Sequence, residues 1–255
     1  MTPPDPELAL PCEVWWAQLS GDPALAGLLD DTERRRAGRL AHRSVRERFV
    51  TARALLRLRL AELAGTAPTA LRLDTTCLRC GGDHGKPRFL GPGPDLHFSI
   101  AHAGGRIAVA VTRDFPVGVD IESVAGRQAH ALTDLGASFL APAELADYRE
   151  LPPGARARAL AVWWARKEAV LKATGAGLTL PMREVTVTAP GDPAALRSPR
   201  EGGRRAMVAL HDLTPRDGHV GCVAAVGVAS LTVTEHDGDE LLAGAAPGSG
   251  RTMPS

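Results

Sequence analysis

Apolar and polar positions recur along this chain with two different periods, and the changes of period mark its elements. Val45, Phe49, Ala52, Leu56 and Leu63 follow helical spacing, and Gly65 stands where a helix stops. Ser44-Val-Arg-Glu47 at the start of that run matches a capping box, with Ser capping the helix and Glu reaching back. Asp30–Arg43 is a polar, Arg-dense helical stretch. Ala155–Thr174 reads as a second long helix closed by Gly175, and residues 129–150 as a helix interrupted at Pro142. Between the long helices lie three short apolar runs: Leu96–Ala101, Arg106–Thr112 and Val117–Ile121. Gly104-Gly105 separates the first two and predicts a hairpin; Asp114-Phe115-Pro116 separates the second from the third. Cys12–Leu19, Glu184–Thr188, Ala206–Leu213 and Cys222–Val228 also read as strands, and residues 72–94 as loop.

Strands that come in runs joined by tight turns favour an α+β fold over a doubly wound sheet. Each half offers a long helix followed by strands. The expected organisation is a flexible N-terminus over residues 1–11, an N-terminal α+β half over 12–115, and a C-terminal α+β half over 116–234. A Gly-, Ala-, Pro- and Ser-rich tail over 235–255 is expected to be disordered.

Bulk composition narrows the function classes. The 255 residues are 44% hydrophobic and 23% charged, as in ordinary globular proteins. A net charge of +1 provides no global field for nucleic acid or an anionic membrane, so any anion must be held by a local cluster. No apolar run is long enough to cross a bilayer. The first residues lack the basic and apolar regions of a secretory signal, and four cysteines in so long a chain do not make a disulfide scaffold. A cytoplasmic location is expected.

Five local features carry candidate chemistry. In Gly118-Val-Asp120-Ile-Glu122, strand alternation puts Asp120 and Glu122 on one face and Val119 and Ile121 on the other. Paired carboxylates repel unless a hard divalent cation joins them; the plainer reading is a solvated edge strand. In Trp164-Ala-Arg-Lys-Glu168-Ala-Val-Leu-Lys172, the residues Trp164, Glu168 and Lys172 share one helix face. The plainer reading is a surface ion pair, but the Trp implies partial burial, where a charge needs a partner. His84-Gly-Lys86-Pro87 can present an ammonium to phosphate or be an ordinary turn. His102 ends a strand at the Gly104-Gly105 turn, whose backbone N–H groups are open to an anion. Ten arginines from Arg34 to Arg59 read mostly as solvated helix faces, with one or two available as phosphate grips. Cys77-x-x-Cys80 with His84 suggests zinc, but a structural site needs four ligands. A zinc-stabilised nucleic-acid module is disfavoured by the near-zero charge and 4% aromatic content.

The order of these features is more specific than any one of them. His-Gly-Lys-Pro, a strand ending in His102, Gly-Val-Asp-Ile-Glu and Trp-Ala-Arg-Lys-Glu-Ala-Val-Leu-Lys together resemble the 4′-phosphopantetheinyl transferase superfamily. The closer resemblance is to its larger, single-chain type, which serves polyketide and nonribosomal peptide synthases. It runs from about Trp15 to Val228. It implies a pseudo-twofold pair of similar α+β subdomains, each a long helix packed on a small, mostly antiparallel sheet. It implies transfer of phosphopantetheine from coenzyme A to a serine of an apo acyl or peptidyl carrier protein, with Mg2+ on the pyrophosphate and the enzyme a monomer. Carried over residue by residue, Asp120, Glu122 and Glu168 are the metal ligands, and Glu168 is also the base for the carrier serine. Lys172 steadies the pyrophosphate, Lys86 and His102 contact coenzyme A phosphates, and Arg53 grips the 3′-phosphate. Arg36 aligns with an upstream basic contact. Two positions depart from the family: Ala101 and Ala103 stand where relatives carry hydroxyl residues. The alternative under the same resemblance is a coenzyme A-binding partner of carrier proteins without turnover.

Overall fold

The computed structural model describes residues 9–76, 81–82, 85–91, 94–177, 180–197, 200–201, 204–205, 207–214 and 217–245. Cys77, Cys80 and His84 lie outside them, as do residues 1–8 and 246–255. The strands are β1 (Leu10–Gln18), β2 (Leu73–Asp74), β3 (Arg88–Phe89), β4 (Leu96–Ala103), β5 (Arg106–Arg113), β6 (Val117–Ser123), β7 (Arg200–Glu201), β8 (Arg204–Arg205), β9 (Val208–Asp212), β10 (His219–Val226) and β11 (Leu231–Asp237). The α-helices are α1 (Asp31–Arg39), α2 (Arg43–Ala64), α3 (Gly126–Phe139), α4 (Pro142–Glu150), α5 (Pro153–Thr174) and α6 (Gly238–Gly244).

The fold is α+β, with one long helix on each of two small sheets. The first sheet runs β11-β1-β5-β4 and the second β6-β10-β9; all pairs are antiparallel except β1 with β11. α2 covers the first sheet through Leu55, Leu56 and Leu60, which pack with Phe98, Ile107, Val109 and Val111. α5 covers the second through Ala165, Ala169 and Ala173, which pack with Cys222 and Ala224. The opposite faces of the two sheets share a third cluster that joins Val14, Trp16, Ala101 and Ala108 to Val119, Ile121 and Val223. Alternation accounts for this: each central strand is apolar on both faces, as burial on both sides demands. Gly104, with φ of 55°, makes the β4–β5 turn as its position predicted.

Several expectations are corrected. β1 begins at Leu10, inside the stretch taken as flexible. α2 begins at Arg43, one residue before the expected cap: its N-cap is His42, with no side-chain cap, and Glu47 pairs with Arg43 at 2.6 Å. Residues 184–188 form a short 3-10 turn at Met182–Glu184 and an isolated bridge from Val187 to Leu196, not a strand. The tail is ordered well past residue 235. β11 pairs with β1 from Leu10↔Leu231 to Trp16↔Asp237, and α6 follows with Asp237 as its cap. The chain therefore returns to its first sheet after completing its second. Anchors include Trp16 Nε1, which donates to Glu235 at 2.6 Å, and Gly238, where a Cβ would press on Trp16 O at 2.7 Å.

Candidate active site

The site begins at Gly118. A Cβ there would overlap the backbone of Ala169 and Ala173 and stand 2.9 Å from Lys172 Cβ. Only glycine lets α5 come this close to β6, which is what a glycine inside an apolar strand signals. The small face of α5, with Ala165, Ala169 and Ala173 all buried, meets it. Alternation then turns Asp120 and Glu122 away from the core that holds Val119 and Ile121, as predicted. The acids are not on a solvated edge: each is only 6% exposed.

Lys172 joins the helix to the strand. Its Nζ donates to Asp120 Oδ1 at 2.7 Å and to Val119 O at 3.0 Å. Asp120 Oδ2 is buried and has no partner among the described residues. Burial pushes the Asp120 pKa up to about 6, opposed by the Lys172 ammonium and reinforced by the negative charge of Glu168. Glu168, half-buried, lies between Trp164 and Lys172 on the α5 face predicted for all three. Among the described residues no group of three or more His, Cys, Asp or Glu side chains is drawn together as a metal cage. What the junction does offer is a set of hard carboxylate oxygens, one of them a buried acceptor without a donor. That donor set fits Mg2+, which keeps several waters and takes only a few carboxylates.

Beside this junction opens a cleft of about 590 Å³, walled by α2, β4, the Lys86 turn and the end of α5. It brings together Arg53, Lys86, His102 and Lys172, four of the residues singled out from sequence, with Arg36 at one side. Arg53 is 9% exposed; its Nε is 3.7 Å from Glu33, and its Nη1 is buried without a partner among the described residues. The guanidinium carbons of Arg36 and Arg53 lie 5.4 and 5.6 Å from the Phe49 ring centroid. Desolvation lowers the Arg53 pKa, with like charge from Arg36 and Arg57 adding to it against Glu33. The His102 pKa is lowered by desolvation first and then by the Arg48 charge, with Lys172 adding to both. The cleft is therefore a region of positive potential. Lys86 Nζ donates to Val117 O at 2.9 Å and Lys172 O at 2.7 Å.

The departures at Ala101 and Ala103 fall on the other face of β4, where both methyls are buried in the core between the sheets. Phe98 and Ile100, on the same face of β4 as His102, line the cleft, as do Arg48 and Phe49. Gly118 and Phe49 carried signals that could have been used, one as a glycine in a strand and the other on the helical stripe. The Arg cluster is corrected in part. Arg57 is fully buried, bound to Glu33, Asp30 and the carbonyls of Pro68 and Leu71, and Arg59 is held by Glu13 and Glu62.

Comparison with known proteins agrees with the sequence resemblance. The model of a family described as the 4′-phosphopantetheinyl transferase superfamily matches residues 116–224. The 4′-phosphopantetheinyl transferase HetI of Nostoc sp. is 32% identical over 212 residues, covering 81% of each chain. A 4′-phosphopantetheinyl transferase of Bacillus subtilis is 28% identical over 155 residues, covering 61% of this chain and 64% of its own.

Proposed function

The chain belongs to the 4′-phosphopantetheinyl transferase superfamily and is an enzyme of that kind, and on this premise we propose that it moves 4′-phosphopantetheine from coenzyme A to a serine of an apo acyl or peptidyl carrier protein. The observation that carries the reading is the contact of Lys172 with Asp120, which joins the strand face of Asp120 and Glu122 to the helix face of Glu168 beside a cationic cleft large enough for a nucleotide. No helix among the described residues is long and apolar enough to cross a membrane.

In this reading the serine Oγ attacks the phosphorus that bears pantetheine. The P–O bond to the bridging oxygen breaks, adenosine 3′,5′-bisphosphate leaves, and the serine proton passes to Glu168. Such a step needs in-line positioning and charge neutralisation rather than an enzyme nucleophile. Asp120, Glu122 and Glu168 would hold Mg2+, which supplies charge neutralisation at the pyrophosphate. Lys172 uses one hydrogen on Asp120 and one on Val119 O, leaving a third for a phosphate oxygen. Arg53 has an unused buried donor for the 3′-phosphate, and His102 stands at the same cleft among positive charges. The enzyme acts as a monomer in the cytoplasm.

The test is direct. Apo carrier protein mixed with the chain, coenzyme A and Mg2+ should gain the mass of one phosphopantetheine. No gain across a panel of acyl and peptidyl carriers would sink the proposal, and coenzyme A binding without transfer would point to the non-catalytic alternative.

A further inference from the structure

Lys86 lines the cleft, yet two of its three ammonium hydrogens are already committed to backbone. Each acceptor stands where the regular bonding pattern of its own element runs out. Val226 N–H bonds to Pro116 O, which fixes the phase of the β6–β10 ladder. Gly118 and Asp120 then turn their carbonyls toward β10, while Val117 and Val119 turn theirs to the outer edge. Lys172 O belongs to the last turn of α5, whose carbonyls find no N–H farther along the helix. Lys86 serves one orphan carbonyl on each element. Lys172 serves the next outward carbonyl of β6, that of Val119, at 3.0 Å. Two lysines thus stitch the outer edge of β6 at successive outward positions, on either side of the Gly118 contact.

We propose that Lys86 is a positioning residue, whose ammonium clips the last turn of α5 to the outer edge of β6 and so fixes Glu168 and Lys172 against Asp120 and Glu122. Its grip on the enzyme's own backbone, not on substrate phosphate, is then its main contribution. The inference rests on the transfer reaction proposed above for what that placement achieves. Burial, then the Lys172 charge, pulls the Lys86 pKa down to about 8.

Lys86→Met keeps the apolar stem and removes the donor. In the full chain, with coenzyme A varied and carrier saturating, kcat should fall at least about tenfold while the KM for coenzyme A stays within about threefold. Affinity for adenosine 3′,5′-bisphosphate, read by calorimetry, should stay within the same limits, and amide exchange at residues 171–176 should quicken. Loss of about tenfold or more in that affinity with kcat retained would overturn the proposal and make Lys86 a phosphate contact. Unchanged kinetics and unchanged exchange would overturn it as well. Lys86→Gln keeps one amide donor and should give the same split at smaller amplitude, which covers a Met variant that folds poorly. If the wild-type chain transfers nothing to any carrier, the exchange comparison still decides the clip, and only the reaction is refuted.

Discussion

α2 and α5 are each 22 residues long, each end on a left-handed glycine (Gly65 at φ 63° and Gly175 at φ 73°), and each bury one arginine completely. Every nitrogen of these two buried arginines has a partner. Arg57 binds Glu33, Asp30 and two carbonyls, and ties α1 and the following turn to α2. Arg166 binds Asp212 through Nε at 3.0 Å and Nη2 at 2.5 Å, and also takes the carbonyls of Thr188, Ala189 and Asp192. Four residues before Arg57, Arg53 keeps a buried Nη1, and opposite Lys172, Asp120 keeps a buried Oδ2, each without a partner among the described residues. The helices therefore match in their structural charges and differ in where capacity is left over. On α2 the spare group is a cation facing the cleft. Around α5 it is a carboxylate oxygen and the third hydrogen of a lysine, pressed together because Gly118 lets helix and strand touch. Among these charged side chains, spare capacity marks the site, although Trp163 Nε1 and His236 Nε2 are also buried without a partner among the described residues, away from it.

The largest effect should come from the saturated pair. Arg57→Met strands Glu33 and two carbonyls and should cost about 3–5 kcal/mol in urea unfolding; Arg166→Met leaves the carbonyls of Thr188, Ala189 and Asp192 unpaired, but its acid Asp212 is exposed, so it should cost about 2–3 kcal/mol. A loss below about 1 kcal/mol in either would break the likeness between the two helices. Next is Glu168→Gln, which should lower kcat about 100-fold or more with little change in unfolding midpoint, as expected for a group acting in the transition state. Near-full activity in that variant would remove the catalytic half of the comparison. Arg53→Met should be milder, raising the KM for coenzyme A about 10- to 30-fold with kcat held. It should leave the KM for dephospho-coenzyme A nearly unchanged; equal losses for both donors would move the 3′-phosphate elsewhere.

The smallest effect is a titration. His102 is held low by desolvation and by Arg48 and Lys172. An anion bound in the cleft offsets those charges and favours the imidazolium, so adenosine 3′,5′-bisphosphate should raise the His102 pKa. At a pH just above the free-protein value, the bound protein should carry more charge on that ring. NMR titration of the ring with and without the nucleotide checks the sign, and a downward or absent shift would place the anion away from β4.

The site was legible wherever residues adjacent in sequence share one element. Asp120 and Glu122 were assigned to one strand face, and Trp164, Glu168 and Lys172 to one helix face, from periods of 2 and 3.6 alone. The β4–β5 turn and both terminal glycines followed from residue chemistry as directly. Misreadings occurred where the deciding partner is far along the chain. Glu235–Asp237 opens a Gly- and Ala-rich tail, so it reads as disorder until β1, more than 200 residues upstream, supplies its ladder through Val14↔Glu235, Trp15↔His236 and Trp16↔Asp237. Ser44 loses the cap because α2 extends back to Arg43, where Glu47 pairs instead. The arginines of α1 and α2 look alike as letters, and only packing against Glu33 and the Pro68 turn separates Arg57 from Arg53.

By itself the sequence determined the local geometry of the chain, because side-chain direction, turn chemistry and helix stops depend on neighbours a few residues apart. It also supplied the ordered series of motifs that the family comparison bears out. Only the tertiary structure decided how close β6 comes to α5, which carbonyls Lys86 and Lys172 satisfy, and which cations keep a free donor. Those depend on contacts such as the one between Lys86 and Lys172 O, 86 residues apart, where desolvation and unmet hydrogen-bonding capacity arise only once both elements are in place.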